Sequence, residues 1–358
     1  MSGFANQTPA KILVIRLSAI GDILLATPLL RCLRRRFPHA QIDFVVKSAF
    51  ADLLRHHPAL NHLYEVEPSA GRAGLRALGE RLRLQHYDVV VDIHKNFRSA
   101  YLTRAARPGM VLRHRKYLVR RWLFVQFKWN LLRKIAPIRR RYIEAAGALG
   151  VEDDGGKLEI FLAAEDEDAA SAVLRQRGWD GKAPLVALAP GAGFFTKRWP
   201  AEYFVEVARE LVRRGMAVVL LGGGQDRDLT EEIRRNISAG AYPLAGDTSL
   251  LVTAAILKRC RALIANDSGL MHMAEAVGIP LVAIFGSTTK ELGFFPQQAT
   301  SQVIENASLH CRPCSHLGRS RCPKGHFLCM RGITPMEVIA AAEDVGALAQ
   351  GNGERVSG

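Results

Sequence analysis

The chain lacks any uninterrupted apolar stretch of roughly 18 residues, the length that a membrane-spanning helix requires. Its first residues, MSGFANQTPAKILVIRL, also lack the charged region, apolar region and small-residue cleavage site that together mark a secretory signal. The segment KILVIRL is instead typical of a first β-strand. These absences predict a protein that stays in the cytoplasm.

Acidic residues are absent between positions 103 and 141, where thirteen Lys or Arg occur. This basic segment nearly accounts for the net charge of +15 of the 358-residue chain. Such a local field indicates an anionic partner: nucleic acid, anionic lipid headgroups or a phosphorylated substrate. Aromatic residues among the cations suit single-stranded nucleic acid or a membrane interface, although the cations spread around the helical wheel and form no amphipathic face. A solvated insertion with some core aromatics is the third interpretation.

Six cysteines are present, and four of them crowd between positions 311 and 329. Without a secretion signal, this crowding favours a metal site or a redox pair over a disulfide framework. Four thiolates could close a tetrahedral zinc or iron site, which would be structural because four protein ligands leave no open position. Buried thiols and a reversible disulfide are the alternatives. The candidate ligands are Cys311, Cys314, Cys322 and Cys329, with His310, His316 and His326 as spare candidates.

Strand and helix signals alternate along both halves of the chain, which predicts two parallel-sheet α/β domains. In the first half, one long helix from Asp22 to Phe37 is expected after the first strand. The basic segment is an insertion in the first domain, and the cysteine cluster lies in the second. The predicted division into an N-terminal domain, a C-terminal domain and a last helix with a polar tail is 1–165, 180–334 and 335–358.

The turn from Ser18 to Asp22 joins the first strand to the first helix. Ligands of parallel α/β sheets bind at the carboxyl ends of strands, so Asp22 is expected to face a binding site. One interpretation makes Asp22 the N-cap of the helix, a position that favours Asp. The other makes it a general base, and the two interpretations do not exclude each other.

Three small-residue turns follow strands of the second half. Free amides, helix N-termini and nearby cations at such turns favour phosphate, and three of them at one sheet edge indicate a nucleotide site. Each also has an ordinary structural explanation, such as a capping role for the Asp and Ser or a core position for the His. The turns are Pro190-Gly191-Ala192-Gly193 with Thr196-Lys197-Arg198, Gly222-Gly223-Gly224, and Asp267-Ser268-Gly269 with His272.

Five segments are distributed over both predicted domains: KILVIRLSAIGDILLATPLLRCLRRRFP, VVDIHKNFRSA, LAPGAGFFTKRWP, VVLLGGGQD and IANDSGLMHMAEAVGIPLVAIFGST. Together and in this order they resemble the lipopolysaccharide heptosyltransferases, also called glycosyltransferase family 9. The resemblance implies two Rossmann-like domains that face a cleft, the GT-B architecture. It also implies an inverting transfer of heptose from ADP-heptose to the inner core of lipopolysaccharide or a related lipid-linked glycan.

The same resemblance gives roles to residues of this chain. The general base falls on Asp22 and the donor-phosphate lysine on Lys197, with no metal or other cofactor required for catalysis. A carboxylate is common in the family near the adenosine, where this chain has Gln225. A four-cysteine metal finger in one branch of the wider family favours metal on the cysteine cluster. The expected substrate contacts are Ser18, Gly21, Gly193, Thr196, Gln225, Asp267, Ser268, Gly269 and His272.

An ADP-sugar donor and a lipid-linked oligosaccharide acceptor are therefore the expected partners, and no nucleic acid is expected. The basic segment 103–141 is expected to meet an anionic membrane surface, which would place the protein on the inner face of the inner membrane. Two other functions stay open. One is a nucleotide-sugar epimerase of similar architecture, and the other is a non-catalytic protein that binds anions or nucleic acid.

Overall fold

The computed structural model describes residues 8–348 and divides the chain into two compact units. Unit 1 runs to Ala163 and includes the separate strip Lys290–Phe295, and unit 2 comprises the remainder from Ala164. Within residues 8–348, no helix has both the length and the apolar character needed to cross a membrane. The predicted polar tail beyond residue 348 lies outside the described residues.

Unit 1 is built on a five-stranded sheet whose neighbouring strands are all parallel. Its strands are β1 (Lys11–Ile15), β2 (Gln41–Lys47), β3 (His62–Val66), β4 (Val89–Asp92) and β5 (Met110–Arg113), in the spatial order β3-β2-β1-β4-β5. Strands β1 and β4 read as nearly continuous apolar runs, as expected for a sheet covered on both faces. The helices are α1 (Ile20–Leu24), α2 (Thr27–Arg36), α3 (Gly71–Arg83), α4 (Phe97–Ala106), α5 (Leu118–Phe127) and α6 (Ile138–Ala145).

The single helix predicted from Asp22 to Phe37 is wrong, because the structure divides this stretch into α1 and α2. Pro28 has no N–H to donate to the Leu24 carbonyl, which a continuous helix would require. The Thr27 hydroxyl donates to that carbonyl instead, at 2.7 Å. The chain therefore restarts a helix at Thr27, and α1 is left as a separate short turn that carries Asp22.

Unit 2 contains a six-stranded parallel sheet. Its strands are β6 (Leu185–Ala189), β7 (Ala217–Leu220), β8 (Ala241–Pro243), β9 (Leu263–Asn266), β10 (Leu281–Phe285) and β11 (Ser301–Glu305), in the spatial order β11-β10-β9-β6-β7-β8. Its helices are α7 (Ala164–Gln176), α8 (Ala201–Arg213), α9 (Arg227–Arg235), α10 (Leu250–Arg259), α11 (Gly269–Val277), α12 (Leu328–Arg331) and α13 (Pro335–Asp344).

Each sheet has one point where the order of the strands reverses. It lies between β1 and β4 in unit 1 and between β6 and β9 in unit 2. Loops leaving the carboxyl ends of the two strands at such a point diverge and open a crevice, which is where open α/β sheets bind ligands. The turn carrying Asp22 follows β1, and the turns carrying Lys197 and Asp267 follow β6 and β9. The predicted class of two parallel-sheet α/β domains is confirmed.

Candidate active site

Asp22 lies in the first turn of α1, shortly after strand β1. The Tyr142 hydroxyl donates a hydrogen bond of 2.9 Å to Asp22 Oδ1, and the Arg16 guanidinium forms an ion pair with Asp22 Oδ2. The Asp22 side chain is nevertheless 23% exposed. Two partners therefore fix the direction of the carboxylate and leave part of it accessible.

The interpretation of Asp22 as the N-cap of the helix is wrong. Ala19 occupies the cap position of α1, and no side chain caps this helix. Asp22 stands inside the first turn, and its carboxylate bonds to Tyr142 and Arg16. A capping role therefore does not explain the residue type at position 22.

Arg16 is itself held by main-chain oxygens beside two adjacent strands. Its Nε donates to the Ser18 carbonyl at 2.8 Å, and its Nη1 donates to the Ile93 carbonyl, just after β4, at 3.0 Å. The arginine is buried, and a buried guanidinium needs such partners to offset its lost hydration. Arg16 thereby ties Asp22 to the switch point of unit 1. Gly21 lies within α1, and the substrate contacts expected of Ser18 and Gly21 stay predictions.

Buried basic side chains lie near this carboxylate. Burial lowers the pKa of both Arg121 and Arg141. The negative charge of Asp22 acts in the opposite direction and raises the pKa of Arg121. Burial, followed by the charge of Arg141, lowers the pKa of His114 to about 3. The His114 ring packs edge-on against Tyr142, with centroids 5.2 Å apart. One side-chain nitrogen on each of His114, Arg121 and Arg141 is buried without a hydrogen-bond partner, so these surroundings favour an anion.

In unit 2, Lys197 and Asp267 meet at the switch point. Lys197 ends a short 3₁₀ helix in the loop after β6, and Asp267 directly follows β9. The Lys197 Nζ lies 2.7 Å from Asp267 Oδ2, and the Thr288 hydroxyl donates to the same oxygen at 2.6 Å. Asp267 and Thr288 are buried. One charged oxygen thus holds together the loops that follow β6, β9 and β10.

Sequence reasoning missed Asn266, the last residue of β9. Its Oδ1 accepts a hydrogen bond from the Trp199 amide at 3.0 Å, and its Nδ2 donates to the Pro190 carbonyl at 2.7 Å. The side chain is completely buried, and its amide bonds at both ends. The signal in the sequence was an amide side chain at the end of an apolar strand, because a buried amide needs hydrogen-bond partners for both its oxygen and its nitrogen.

The loop from Pro190 to Lys197 is anchored at Thr196 and open at Gly193. The Thr196 hydroxyl donates to Ser287 Oγ at 3.0 Å and accepts a hydrogen bond from the Arg319 amide at 2.8 Å. Thr196 is buried, so its hydroxyl serves contacts within the protein. Gly193 is exposed, and a Cβ built there would meet no atom within 4 Å. The space beside Gly193 is available to a ligand.

The start of α11 combines an unused hydroxyl with a buried histidine. Ser268 occupies the N-cap position, before Gly269, but makes no capping hydrogen bond, and its Oγ is buried without a partner. His272 Nδ1 lies 2.9 Å from Glu275 Oε2, and both residues are buried. The burial of His272 therefore agrees with the interpretation of this residue as a histidine of the protein core. The Ser268 hydroxyl at a helix N-terminus is an arrangement that suits an anion.

The third turn is organised by Asp226, which sequence reasoning also missed. Asp226 Oδ2 accepts a hydrogen bond from the Gly223 amide at 3.0 Å, and the residue is buried. A Cβ at Gly191 would lie 2.3 Å from the Asp226 carboxyl carbon, and a Cβ at Gly222 would lie 2.7 Å from the Asp226 Cβ. The two glycines therefore allow the turns after β6 and β7 to close on this carboxylate. Gln225 is exposed beside them.

The cysteine cluster forms an irregular segment that ends in the short helix α12. None of the six cysteines of the chain, all within residues 8–348, forms a disulfide. In that part of the chain, no three His, Cys, Asp or Glu side chains are arranged to hold a metal ion. Burial, with the nearby thiols, raises the pKa of Cys329 to about 12. The expected role of Cys311, Cys314, Cys322 and Cys329 as metal ligands stays a prediction.

Comparison with known proteins identifies the family. A model of glycosyltransferase family 9 (heptosyltransferase) matches residues 75–323. The lipopolysaccharide heptosyltransferase 2 of Escherichia coli K12 is 30% identical over 301 residues, which cover 78% of this chain and 84% of that protein. The chain belongs to glycosyltransferase family 9. It is an enzyme that transfers a sugar, a finding that favours this function over the epimerase and the non-catalytic anion-binding protein.

A further relative and two solved structures support the assignment of the chain to glycosyltransferase family 9. The lipooligosaccharide heptosyltransferase 2 of Haemophilus influenzae is 29% identical, with 78% of this chain and 84% of that protein covered. A family 9 glycosyltransferase structure from Veillonella parvula has a TM-score of 0.79 at 27% identity and covers 94% of this chain and 97% of that one. The structure of the E. coli ADP-heptose heptosyltransferase II has a TM-score of 0.75 at 25% identity, covering 94% and 98%. The predicted GT-B fold class is confirmed.

The buried histidines of unit 1 predict acid sensitivity of this glycosyltransferase. Burial lowers the pKa of His57 to about 4 and that of His114 to about 3, from the ordinary value of 6.5. The unfolded chain therefore binds protons more readily than the folded protein does. The stability that the two neutral, buried histidines contribute is fully present above pH 6.5 and is lost as the pH falls toward 4. His114→Asn should make urea-unfolding midpoints depend less steeply on pH. The exposed His39→Asn is the control, and an unchanged slope in His114→Asn would contradict the prediction.

Proposed function

We propose that this enzyme transfers heptose from ADP-heptose to the inner core of lipopolysaccharide or a related lipid-linked glycan. Relatives that cover most of the chain are named lipopolysaccharide or lipooligosaccharide heptosyltransferases, which supports the substrate class. The observation that carries the chemistry is the accessible Asp22 carboxylate, oriented by Tyr142 and Arg16. The reaction is a single inverting displacement with Asp22 as general base.

In this mechanism, Asp22 accepts the proton of an acceptor hydroxyl while that oxygen attacks the anomeric carbon of the donor. The new glycosidic C–O bond forms as the C–O bond to the diphosphate breaks, and ADP leaves with the electron pair. Burial and the adjacent Asp22 charge raise the pKa of Tyr142 well above its usual value, so its hydroxyl stays protonated and donates to Asp22. A positioned general base contributes about 10²- to 10⁴-fold to the rate.

The leaving ADP requires stabilisation, which we assign to unit 2. Lys197 supplies a positive charge, and the N-terminus of α11 supplies amides beside the unpartnered Ser268 hydroxyl. Groups preorganised around developing charge in a site with little water stabilise it by several kcal/mol. These groups replace the divalent ion that many sugar-transfer enzymes use. The exposed Gln225 and the open space at Gly193 suit contacts to the nucleoside and the diphosphate.

The basic segment 103–141 would bring the enzyme to the cytoplasmic face of the inner membrane, where a lipid-linked acceptor is available. Its thirteen cations without an acidic residue support this placement. Each Lys or Arg close to an anionic membrane surface contributes roughly 1 kcal/mol to binding. The partners of the enzyme are then an ADP-sugar donor, a lipid-linked oligosaccharide acceptor and the membrane surface.

A structural zinc or iron ion on the four cysteines is a separate proposal, and no step of the reaction depends on it. It rests on the clustering of four thiols within nineteen residues of sequence, from Cys311 to Cys329. Elemental analysis of the purified protein tests it: about one ion per chain, lost in Cys314→Ser, is the expected result. Metal-free protein with full activity would contradict the proposal.

Asp22→Asn tests the proposed base. The amide keeps the shape of the side chain but cannot accept the proton, so we expect transfer to fall by about 10²-fold or more. Release of ADP from ADP-heptose in the presence of a heptose-free lipopolysaccharide acceptor measures this rate. Affinity for ADP should stay close to that of the wild type, because the donor groups belong to unit 2.

Asp52→Asn is the matched control for that substitution. Asp52 is a surface carboxylate of the same unit, paired with Arg55, and the variant should transfer at the wild-type rate. Tyr142→Phe removes one partner of Asp22 and should give an intermediate rate. An Asp22→Asn enzyme as active as Asp52→Asn would show that another group removes the proton.

A further inference from the structure

Six large apolar side chains of unit 1 project into solvent within one short stretch. Each is between 51% and 70% exposed, and no other stretch of this length in the described residues exposes as many large apolar side chains. Soluble proteins rarely expose large apolar side chains together unless the surface binds something. These residues, which we call the apolar face, are Leu118, Val119, Trp122, Phe127, Trp129 and Leu131.

The apolar face is not a displaced part of the core, because the same stretch already buries an opposite side. Phe124 and Leu132 pack with Leu292 in a small cluster of their own. The Asn130 side chain donates to Glu291 at 3.1 Å, and the Ile138 amide of α6 donates to the Gly293 carbonyl at 3.0 Å. The stretch is thus anchored to the strip 290–295 on one side and left uncovered on the other.

Three aromatic rings of the apolar face contact one another. Trp122 meets Phe127 edge-on with centroids 5.4 Å apart, and Phe127 lies 5.5 Å from Trp129. Neighbouring cations include the exposed Arg120 and Arg133. Tryptophan beside cations is typical of the boundary between lipid headgroups and acyl chains, where the ring is apolar and its N–H bonds to water or headgroups.

We infer that the apolar face inserts into an anionic lipid bilayer, with the surrounding cations on the headgroups. The inference deepens the proposed function, which requires access to a lipid-linked acceptor. A second copy of the chain is a poor occupant, because the segment 103–141, with thirteen cations and no acidic residue, would repel the same segment of that copy. The bases of a nucleic acid would stack on the aromatic rings, but the aliphatic Leu118, Val119 and Leu131 offer it neither stacking nor ionic contacts. The basic charge attracts the enzyme to the bilayer surface, and insertion of the apolar face keeps it bound there.

Quenching of tryptophan fluorescence by lipids with brominated acyl chains tests insertion directly. The full-length protein is mixed with vesicles of phosphatidylethanolamine and phosphatidylglycerol, at low and at high salt. We expect quenching in the wild type, some of which survives high salt because apolar burial is not screened. Two of the four tryptophans of the chain belong to the apolar face, so Trp122→Phe with Trp129→Phe should remove the quenching while vesicles are still bound.

Replacing Trp122, Phe127 and Trp129 together by serine should weaken vesicle binding by about tenfold or more, because insertion strength follows the apolar area buried. The control replaces Leu84 and Met336, exposed apolar residues elsewhere, by serine and should bind like the wild type. Unchanged affinity for ADP and an unchanged unfolding midpoint show that the triple variant is folded.

Three outcomes would overturn the inference: no quenching of the wild type, loss of all vesicle binding at high salt, or a dimer that the triple variant dissociates. Tight binding to single-stranded RNA that is lost in the triple variant, without vesicle binding, would assign the face to nucleic acid instead. None of these readouts uses sugar transfer. Failure of the insertion model and failure of the proposed transfer reaction are therefore distinguishable.

Discussion

The ion pair between Lys197 and Asp267 is the contact on which the arrangement of unit 2 depends. A partly buried ion pair costs hydration free energy, so it is stable only where further partners complete it. Thr288 donates to the same Asp267 oxygen. The side chain of the preceding residue, Asn266, donates to the Pro190 carbonyl in the turn after β6. The loops after three strands are therefore fixed around one charged centre. A diphosphate that binds Lys197 would enter a site whose cation is already held in position.

Unit 1 uses the same principle with the charges reversed. There the carboxylate of Asp22 is the accessible group, and the cation Arg16 is the buried partner, tied to main-chain oxygens beside β1 and β4. Both charged centres lie at the switch point of a parallel sheet, where the loops of two strands diverge. Each unit therefore holds a charged group at one defined place, a carboxylate in unit 1 and an ammonium in unit 2.

The alternation of strands and helices was readable from the sequence because strands buried on both faces are continuous apolar runs. Asp22, Lys197 and Asp267 could be located for the same reason, since each follows such a run. Tyr142 could not, because it reaches Asp22 from 120 residues away. The apolar face was predicted only in part, as aromatic residues among the cations that suit a membrane interface. Its buried side is defined by Leu292, which lies far along the chain, so a helical wheel of the basic segment alone could not separate the inner residues from the outer ones.

Calorimetric titration of ADP into the wild type, Lys197→Ala and Lys197→Arg tests the central claim, that a preorganised Lys197 binds the diphosphate. The account predicts that Lys197→Ala weakens ADP binding by about tenfold or more, since the charge is lost and Asp267 is left without its cation. Lys197→Arg should recover part of the affinity, and adenosine should bind all three proteins alike. Equal affinity of the wild type and Lys197→Ala for ADP would contradict the account.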